Sequence, residues 1–287
     1  MQRVILYHAT SMMWELDYVF NELLKDVKDQ CLIRFLDTDQ LYAYKDTTHK
    51  QMILVFSSNL MNFAQVKSIV TRLKPQVVIH LSDEDGTKPE FCQLGELVPL
   101  VLRQHRFAHY PTFKNVIHIP LGYMTGYPTN VPVVKMDERD LTYSFVGSLR
   151  SDRKEMLDTF QSQFPEHSFV YTNGGMKVDD MVKIYARSKF VLNGRGLFSL
   201  NCFRLYEAIK AGAIPVTCGR KKEWNDTFDF DGSKPPFIHA TTWVEAAEKC
   251  KLLLDNPIAL QVRQEKNMIW LQTQFQMARE HITHAFQ

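Results

Sequence analysis

Two α/β units with parallel sheets, one after the other along the chain, are predicted by three features. Short apolar runs alternate with amphipathic segments, a Pro/Gly-rich stretch interrupts the pattern midway, and a second alternating series follows it. Alternation of strand and helix builds a parallel sheet, and 287 residues can bury two cores of ordinary size.

The first series has buried-strand candidates at 4–7, 31–36, 52–56, 77–81 and 116–119, each a brief aliphatic or aromatic run. Between them, apolar residues in 14–27 and 63–73 return at three- and four-residue steps, the spacing of a helix with one apolar face. Pro111, Pro120, Pro128 and Pro132 with Gly122 and Gly126 then break all periodicity. The predicted units are 1–128 and 129–256. Strands at 143–146, 168–171, 190–192 and 214–217 and helices at 152–164, 178–187 and 199–211 make up the second, also read as doubly wound. After Pro257 a long helical stretch, 257–287, is expected to pack back across both. The basic triplet Arg220–Lys222 reads as a solvated loop.

Composition narrows the class. Apolar residues are 45% and charged residues 23% of the chain, a globular balance. The net charge of +2 comes from 34 basic and 32 acidic residues spread along the sequence, so no nucleic-acid footprint is expected. Five cysteines without framework spacing point to a reducing compartment, and no run of about 18 apolar residues marks a membrane span. A cytoplasmic protein is the expectation, host cytoplasm if the chain is virus-encoded.

Ligands of doubly wound sheets bind outside the carboxyl ends of the strands, and two such units make the cleft facing both the default site. The strand at 143–146 runs into Gly147-Ser148-Leu149-Arg150-Ser151-Asp152-Arg153 ahead of a helix. Helix-start N–H groups and two guanidiniums there suit a phosphate; a capped helix with surface arginines reads equally well. Farther on, Asn201, Arg204 and Glu207 fall on one face of a helix begun near Ser199. Arg204 suits a pyrophosphate oxygen and Glu207 the two ribose hydroxyls, against the plain alternative of an Arg-Glu helix pair. The preceding Gly194-Arg195-Gly196 loop is a candidate anion cradle.

The run from Phe190 to Val216, with its Arg-Gly, Ser-x-Asn-x-x-Arg-x-x-Glu-Ala and Ala-Gly-Ala-Ile-Pro-Val elements, resembles the exostosin-like glycosyltransferases of family 47. Phe145 to Arg153 looks like that family's Phe-x-Gly-x-x-Arg segment, so the resemblance covers about a third of the chain. It implies a GT-B architecture, inversion at the anomeric carbon and no metal or other cofactor. It also implies phosphate contacts from Arg150, Arg153 and Arg204, with Glu207 on the ribose. The nearest flavour is the xylosyltransferase branch and short virus-encoded members, which makes UDP-xylose the first donor expectation and a glycan or glycoprotein hydroxyl the acceptor. The chain departs from animal exostosins in lacking an anchor, stem and second catalytic module. The donor-binding set is Gly147, Ser148, Arg150, Arg153, Asn173, Arg195, Gly196, Phe198, Ser199, Asn201, Arg204 and Glu207.

An inverting transfer needs a base within reach of the acceptor hydroxyl. Candidates follow the first-unit strands: Asp83 and Glu84, where three carboxylates on one loop repel one another, then Asp37 and His8. The stretch from Ser82 to Gly86 also reads as a solvated turn, and His80 as a buried strand histidine. Asp37-Thr38-Asp39 spells the metal-binding DxD of the other large glycosyltransferase fold, but Asp83–Asp85 and Asp229–Asp231 share the spacing, and no metal is expected. A catalytically inactive nucleotide-sugar or glycan-binding module is the competing class. A dehydrogenase is disfavoured because no Gly-x-Gly-x-x-Gly follows the first strand.

Overall fold

The computed structural model describes residues 3–8, 13–45, 51–228 and 233–286. The Asp229–Asp231 triplet lies outside the described residues. The chain divides into two compact units: Met1–Pro120 with Phe230–Gly232 and Gln274–Gln287, and Leu121–Asp229 with Ser233–Thr273.

The first unit is one parallel sheet of β1 (Arg3–His8), β2 (Cys31–Leu36), β3 (Gln51–Ser57), β4 (Val77–Leu81), β5 (Leu100–Arg103) and β6 (Val116–His118). Their spatial order is β2-β1-β3-β4-β5-β6. Central strands buried on both faces read as unbroken apolar runs, as β4 does, all five of its residues being buried. Helices α1 (Leu16–Tyr18), α2 (Thr38–Ala43) and α3 (Phe63–Leu73) connect them. Asn62 starts α3 through a reciprocal capping box with Gln65. Its Val66, Ile69 and Val70 then pack into a core with Leu54, Phe56 and Val78.

Two parts of this unit differ from the sequence expectation. The predicted helix at 14–27 is helical but irregular: a tight 3-10 turn at Met13–Glu15 precedes α1, and a wide π turn at Val19–Leu23 follows, closed by Leu24 N–H donating to Val19 O at 2.8 Å. Strand β5 was not foreseen, because only four residues pair and the last is an arginine.

The second unit holds β7 (Leu141–Val146), β8 (Ser168–Tyr171), β9 (Ser188–Asn193), β10 (Ile214–Cys218) and β11 (Ile238–Ala240), all parallel, in the order β11-β10-β9-β7-β8. Its helices are α4 (Arg153–Gln163), α5 (Val178–Arg187), α6 (Phe203–Lys210), α7 (Lys221–Phe228) and α8 (Trp243–Leu254). Alternation along the strands sorts the core onto two faces. Tyr143, Phe145, Phe190 and Leu192 join Met156, Phe160 and Trp243 on one, while Val146 and Val191 join Tyr185 and Ala208 on the other. The basic triplet read as a loop instead leads into α7, whose Trp224 and Phe228 are buried. The last helix, α9 (Pro257–Ala285), contributes 257–273 to this unit and the remainder to the first.

The units meet in sequence at Pro120/Leu121, where the sequence reading drew the line at 128/129. The segment from Leu121 to Tyr127 is held by α6: Tyr127 Oη donates to Glu207 O at 2.6 Å, and Tyr123 and Tyr127 are buried.

Candidate functional site

In the second sheet the direction of winding reverses between β7 and β9, the point at which doubly wound sheets bind their ligands. The glycines are required. Gly147 ends β7 at φ 153°, and a Cβ on it would lie 2.4 Å from Arg204 Nη2. Gly194 follows β9, and a Cβ there would meet Arg153 Cγ at 2.5 Å.

Arg153 ties the two loops together. Its Nη1 donates to Ser148 O at 2.7 Å, and its Nε and Nη2 donate to Arg195 O at 3.1 and 2.7 Å. The phosphate contact that the resemblance implied for Arg153 is therefore revised: the guanidinium is buried and its fork is committed to carbonyls, so it shapes the site from beneath. Arg204, 8% exposed, donates through Nε to Val146 O at 2.9 Å, and both guanidiniums lie over the Phe145 ring, at 5.7 Å for Arg153 and 4.9 Å for Arg204. Burial, and then the charge of Arg204, lowers the Arg153 pKa to about 10. Among the described residues neither guanidinium makes an ion pair with a carboxylate. Against burial, the charge of Glu207 and a Tyr185 hydrogen bond help raise the Arg204 pKa, whereas Arg153 feels the Arg204 charge as repulsion; a bound polyanion would relieve that repulsion.

Glu207 lies one turn beyond Arg204 and is 3% exposed. Its Oε1 accepts from Met124 N–H at 3.2 Å. Burial raises its pKa to about 7, against the Met124 N–H and the Arg204 charge, which lower it. The expectation that Asn201, Arg204 and Glu207 share one helix is corrected. Helix α6 starts only at Phe203, because Ser199 to Asn201 forms a turn: Gly196 N–H donates to Ser199 O at 2.9 Å and Asn201 N–H to Ser199 Oγ at 3.2 Å. Asn201 is buried before the helix, and its Oδ1 accepts from Tyr206 Oη at 2.7 Å.

The other predicted donor residues divide by exposure. Ser148, Arg150 and Phe198 are exposed on the loops after β7 and β9, and Asn173 is exposed on the loop after the edge strand β8. Arg195 is engaged in a two-oxygen ion pair with Glu223 of α7, leaving its guanidinium less available to an anion than Arg150.

Of the base candidates of the first unit, His8 and Asp37 interact electrostatically and Asp83 and Glu84 share one turn. Asp83 is fully buried, with Oδ2 taken by Arg103 and by Tyr110 Oη at 2.7 Å. Its pKa is raised, but by burial first and by Asp85 least, so repulsion among three carboxylates is not the main cause. These contacts hold Asp83 in the unit's interior through Oδ2, while its Oδ1 has no hydrogen-bond partner among the described residues. Glu84 is half-buried on the same turn. Asp37 caps α2, accepting Gln40 N–H at 2.8 Å, and His8 Nε2 lies 2.9 Å from Thr38 Oγ1 with its pKa lowered by burial. His80 is the buried strand histidine, stacked between Phe56 and Phe91 at 4.9 and 4.8 Å.

Sequence reasoning missed one residue here. Glu15 is 2% exposed, its Oε2 has no hydrogen-bond partner among the described residues, and burial raises its pKa to about 7. The signal was present: an acid three and four positions before Tyr18 and Val19 shares their apolar stripe.

Among the described residues, no three His, Cys, Asp or Glu side chains gather as a metal cluster, and no helix is long and apolar enough to cross a membrane. No protein-family model matches the chain, and no curated protein matches it. Solved structures do. HepE of Anabaena in complex with UDP and glucose superposes with a TM-score of 0.62 at 9% identity, covering 99% of each chain. An α-glucosyltransferase in complex with UDP and a 13-mer DNA containing a HMU base gives 0.57 at 12% identity, covering 98% of this chain and 99% of that one. An O-GlcNAc transferase of Thermobaculum terrenum gives 0.53 at 10% identity, covering 99% of this chain and 66% of that one. The two-unit fold is of the GT-B glycosyltransferase type that the sequence resemblance implied.

Proposed function

We propose that the chain is a glycosyltransferase that takes a sugar from a UDP-sugar and attaches it to a hydroxyl of a glycan or glycoprotein. One observation supports this reading: Arg153 and Arg204 are both buried at the β7/β9 switch point, neither in an ion pair among the described residues, and Arg204 lies one helical turn before the buried carboxylate of Glu207. A nucleoside diphosphate complements this set. Arg204 and the exposed Arg150 neutralise the diphosphate, Arg153 fixes the loops that surround it, and the ionised Glu207 accepts hydrogen bonds from the ribose hydroxyls. As the sugar departs, negative charge grows on the diphosphate, and the same guanidiniums stabilise it.

Direct displacement with inversion, giving a β-linkage and needing no metal or other cofactor, is the mechanism we favour, and it assigns proton acceptance to the first unit. UDP-xylose is the first donor to try. That choice and the family 47 assignment rest on the motifs between Phe145 and Val216. A cytoplasmic location is proposed on the odd cysteine count without framework spacing.

The test is calorimetry with UDP on wild type, Arg204→Ala and Glu207→Ala, followed by UDP-sugars offered with glycan acceptors. Because a transferase of this fold has been solved on DNA, a hydroxymethylated DNA acceptor belongs in the same panel. Wild-type binding lost in both variants supports the donor site, and unchanged affinity in both removes it. Binding without UDP release from any donor favours the inactive binding module.

A further inference from the structure

The first unit presents a built polar group at the carboxyl end of its sheet that none of the predicted residues accounts for. Ser57 at the end of β3 donates from Oγ to Ser82 Oγ at 2.9 Å, just past β4. Ser82 N–H donates to Gln104 Oε1 at 2.8 Å, just past β5. With its oxygen so engaged, the Gln104 amide presents N–H groups, and its side chain hydrogen-bonds Glu15. Ser82 and Asp83 hold this arrangement in left-handed backbone, φ 72° and 75°, a conformation costly for residues with a Cβ and retained where neighbours over-determine it.

Glu15 terminates the chain of bonds. The tight turn at Met13–Glu15 places it, and buried Tyr18 and Val19 anchor the segment behind it, Tyr18 Oη donating to Pro120 O at 2.7 Å. The groups that face it are Tyr7 on β1, Glu84 after β4 and Gln104 after β5. Its second oxygen, Oε2, has no donor among the described residues. A buried carboxyl oxygen with no partner is costly, and a hydroxyl group is the donor it lacks.

We infer that Glu15 is the catalytic base, its Oε2 receiving the proton of the acceptor hydroxyl. As the acceptor oxygen bonds to the anomeric carbon, the bond from that carbon to the β-phosphate oxygen breaks. The electron pair of that bond leaves on UDP, and the proton rests on Oε2 until it passes to solvent. Gln104 is the positioning residue that holds the other oxygen. The inference rests on the transferase reading above.

Glu15→Gln and Glu15→Ala are compared with wild type for UDP affinity by calorimetry and for UDP released from UDP-xylose and UDP-glucose with water as acceptor, between about pH 5 and about pH 9. Both variants are expected to bind UDP within about twofold of wild type and to release it at least about 100-fold more slowly. The rise of the wild-type rate through about pH 7 disappears in Glu15→Gln, and formate restores release in Glu15→Ala, which a packing role alone does not allow. Should Glu15→Gln not fold, Glu15→Asp keeps the acid but withdraws it by a methylene, so the rate falls while the pH rise remains. A Glu15→Gln rate within about threefold of wild type, or no formate rescue in a variant that still binds UDP, overturns the inference. Wild type that binds UDP but releases none from either donor overturns it while leaving the donor site standing; wild type that does not bind UDP removes the donor site itself.

Discussion

Each unit holds one buried carboxylate near the carboxyl end of its sheet, and burial brings both to about pKa 7. They differ in what meets their oxygens. Glu207 has the Met124 N–H and the Arg204 charge, an electropositive setting suited to holding a ligand's hydroxyls with the acid ionised. Glu15 has one amide, an oxygen without a partner among the described residues and the charge of Glu84 nearby, a setting that favours taking up a proton. On the proposed reading, equal pKa values serve binding in one place and proton transfer in the other. A third buried acid, Asp83, shows the remaining possibility: paired with Arg103 and Tyr110, it is spent on stability.

The largest expected effect separates Asp83 from the other two. Arg103→Leu strands a buried carboxylate and is expected to cost about 3–5 kcal/mol of unfolding free energy, read by denaturant titration. Asp83→Asn should lower stability in the same assay, with turnover per folded molecule retained.

The contrast between Glu207 and Glu15 is sharpened by pH. Both folded pKa values are raised from about 4.5 to about 7, so their contribution to stability is fully present below about pH 4.5 and lost as pH rises through about 7. Each is worth on the order of 3 kcal/mol, and Glu207→Gln or Glu15→Gln should flatten that part of the stability profile. Of the two acids, only Glu207 is expected to affect UDP affinity. The affinity should rise with pH up to about 7 equally in wild type and in Glu15→Gln, and less steeply in Glu207→Gln, where only the second ionisation of the UDP phosphate, near pH ~6, remains.

Gly147→Ala drives a Cβ into Arg204 and is expected to lower UDP affinity at least tenfold, about 1.4 kcal/mol, with stability less affected. Arg150→Ala should weaken UDP several-fold. Arg195→Ala, removing a half-exposed pair with Glu223, is expected to change stability by less than about 1 kcal/mol and UDP affinity least of all. A larger loss with Arg195→Ala than with Arg150→Ala reverses their assignment.

Much of this molecule was legible along the chain. The alternation of apolar runs located nine of the eleven strands among the described residues, except for their ends; β5 and β11 are too short or too mixed to stand out. Arg204 and Glu207 could be singled out because charges interrupting an apolar segment are conspicuous, and Gly147 because it follows a strand. Asp83 misled because a run of acids looks the same whether it faces water or an arginine twenty residues away.

The sequence by itself determined the two parallel sheets and the charged helix of the second, since both depend on periodicities of two to four residues. Which charges are free to act was decided only in three dimensions. Arg153, Arg195 and Asp83 are each consumed by a partner 20 to 42 residues distant, and Glu15 owes its role to a hydrogen bond with Gln104 and to burial that no local pattern encodes. Ionisation and availability follow from desolvation and long-range contacts, and these exist only once the chain has folded.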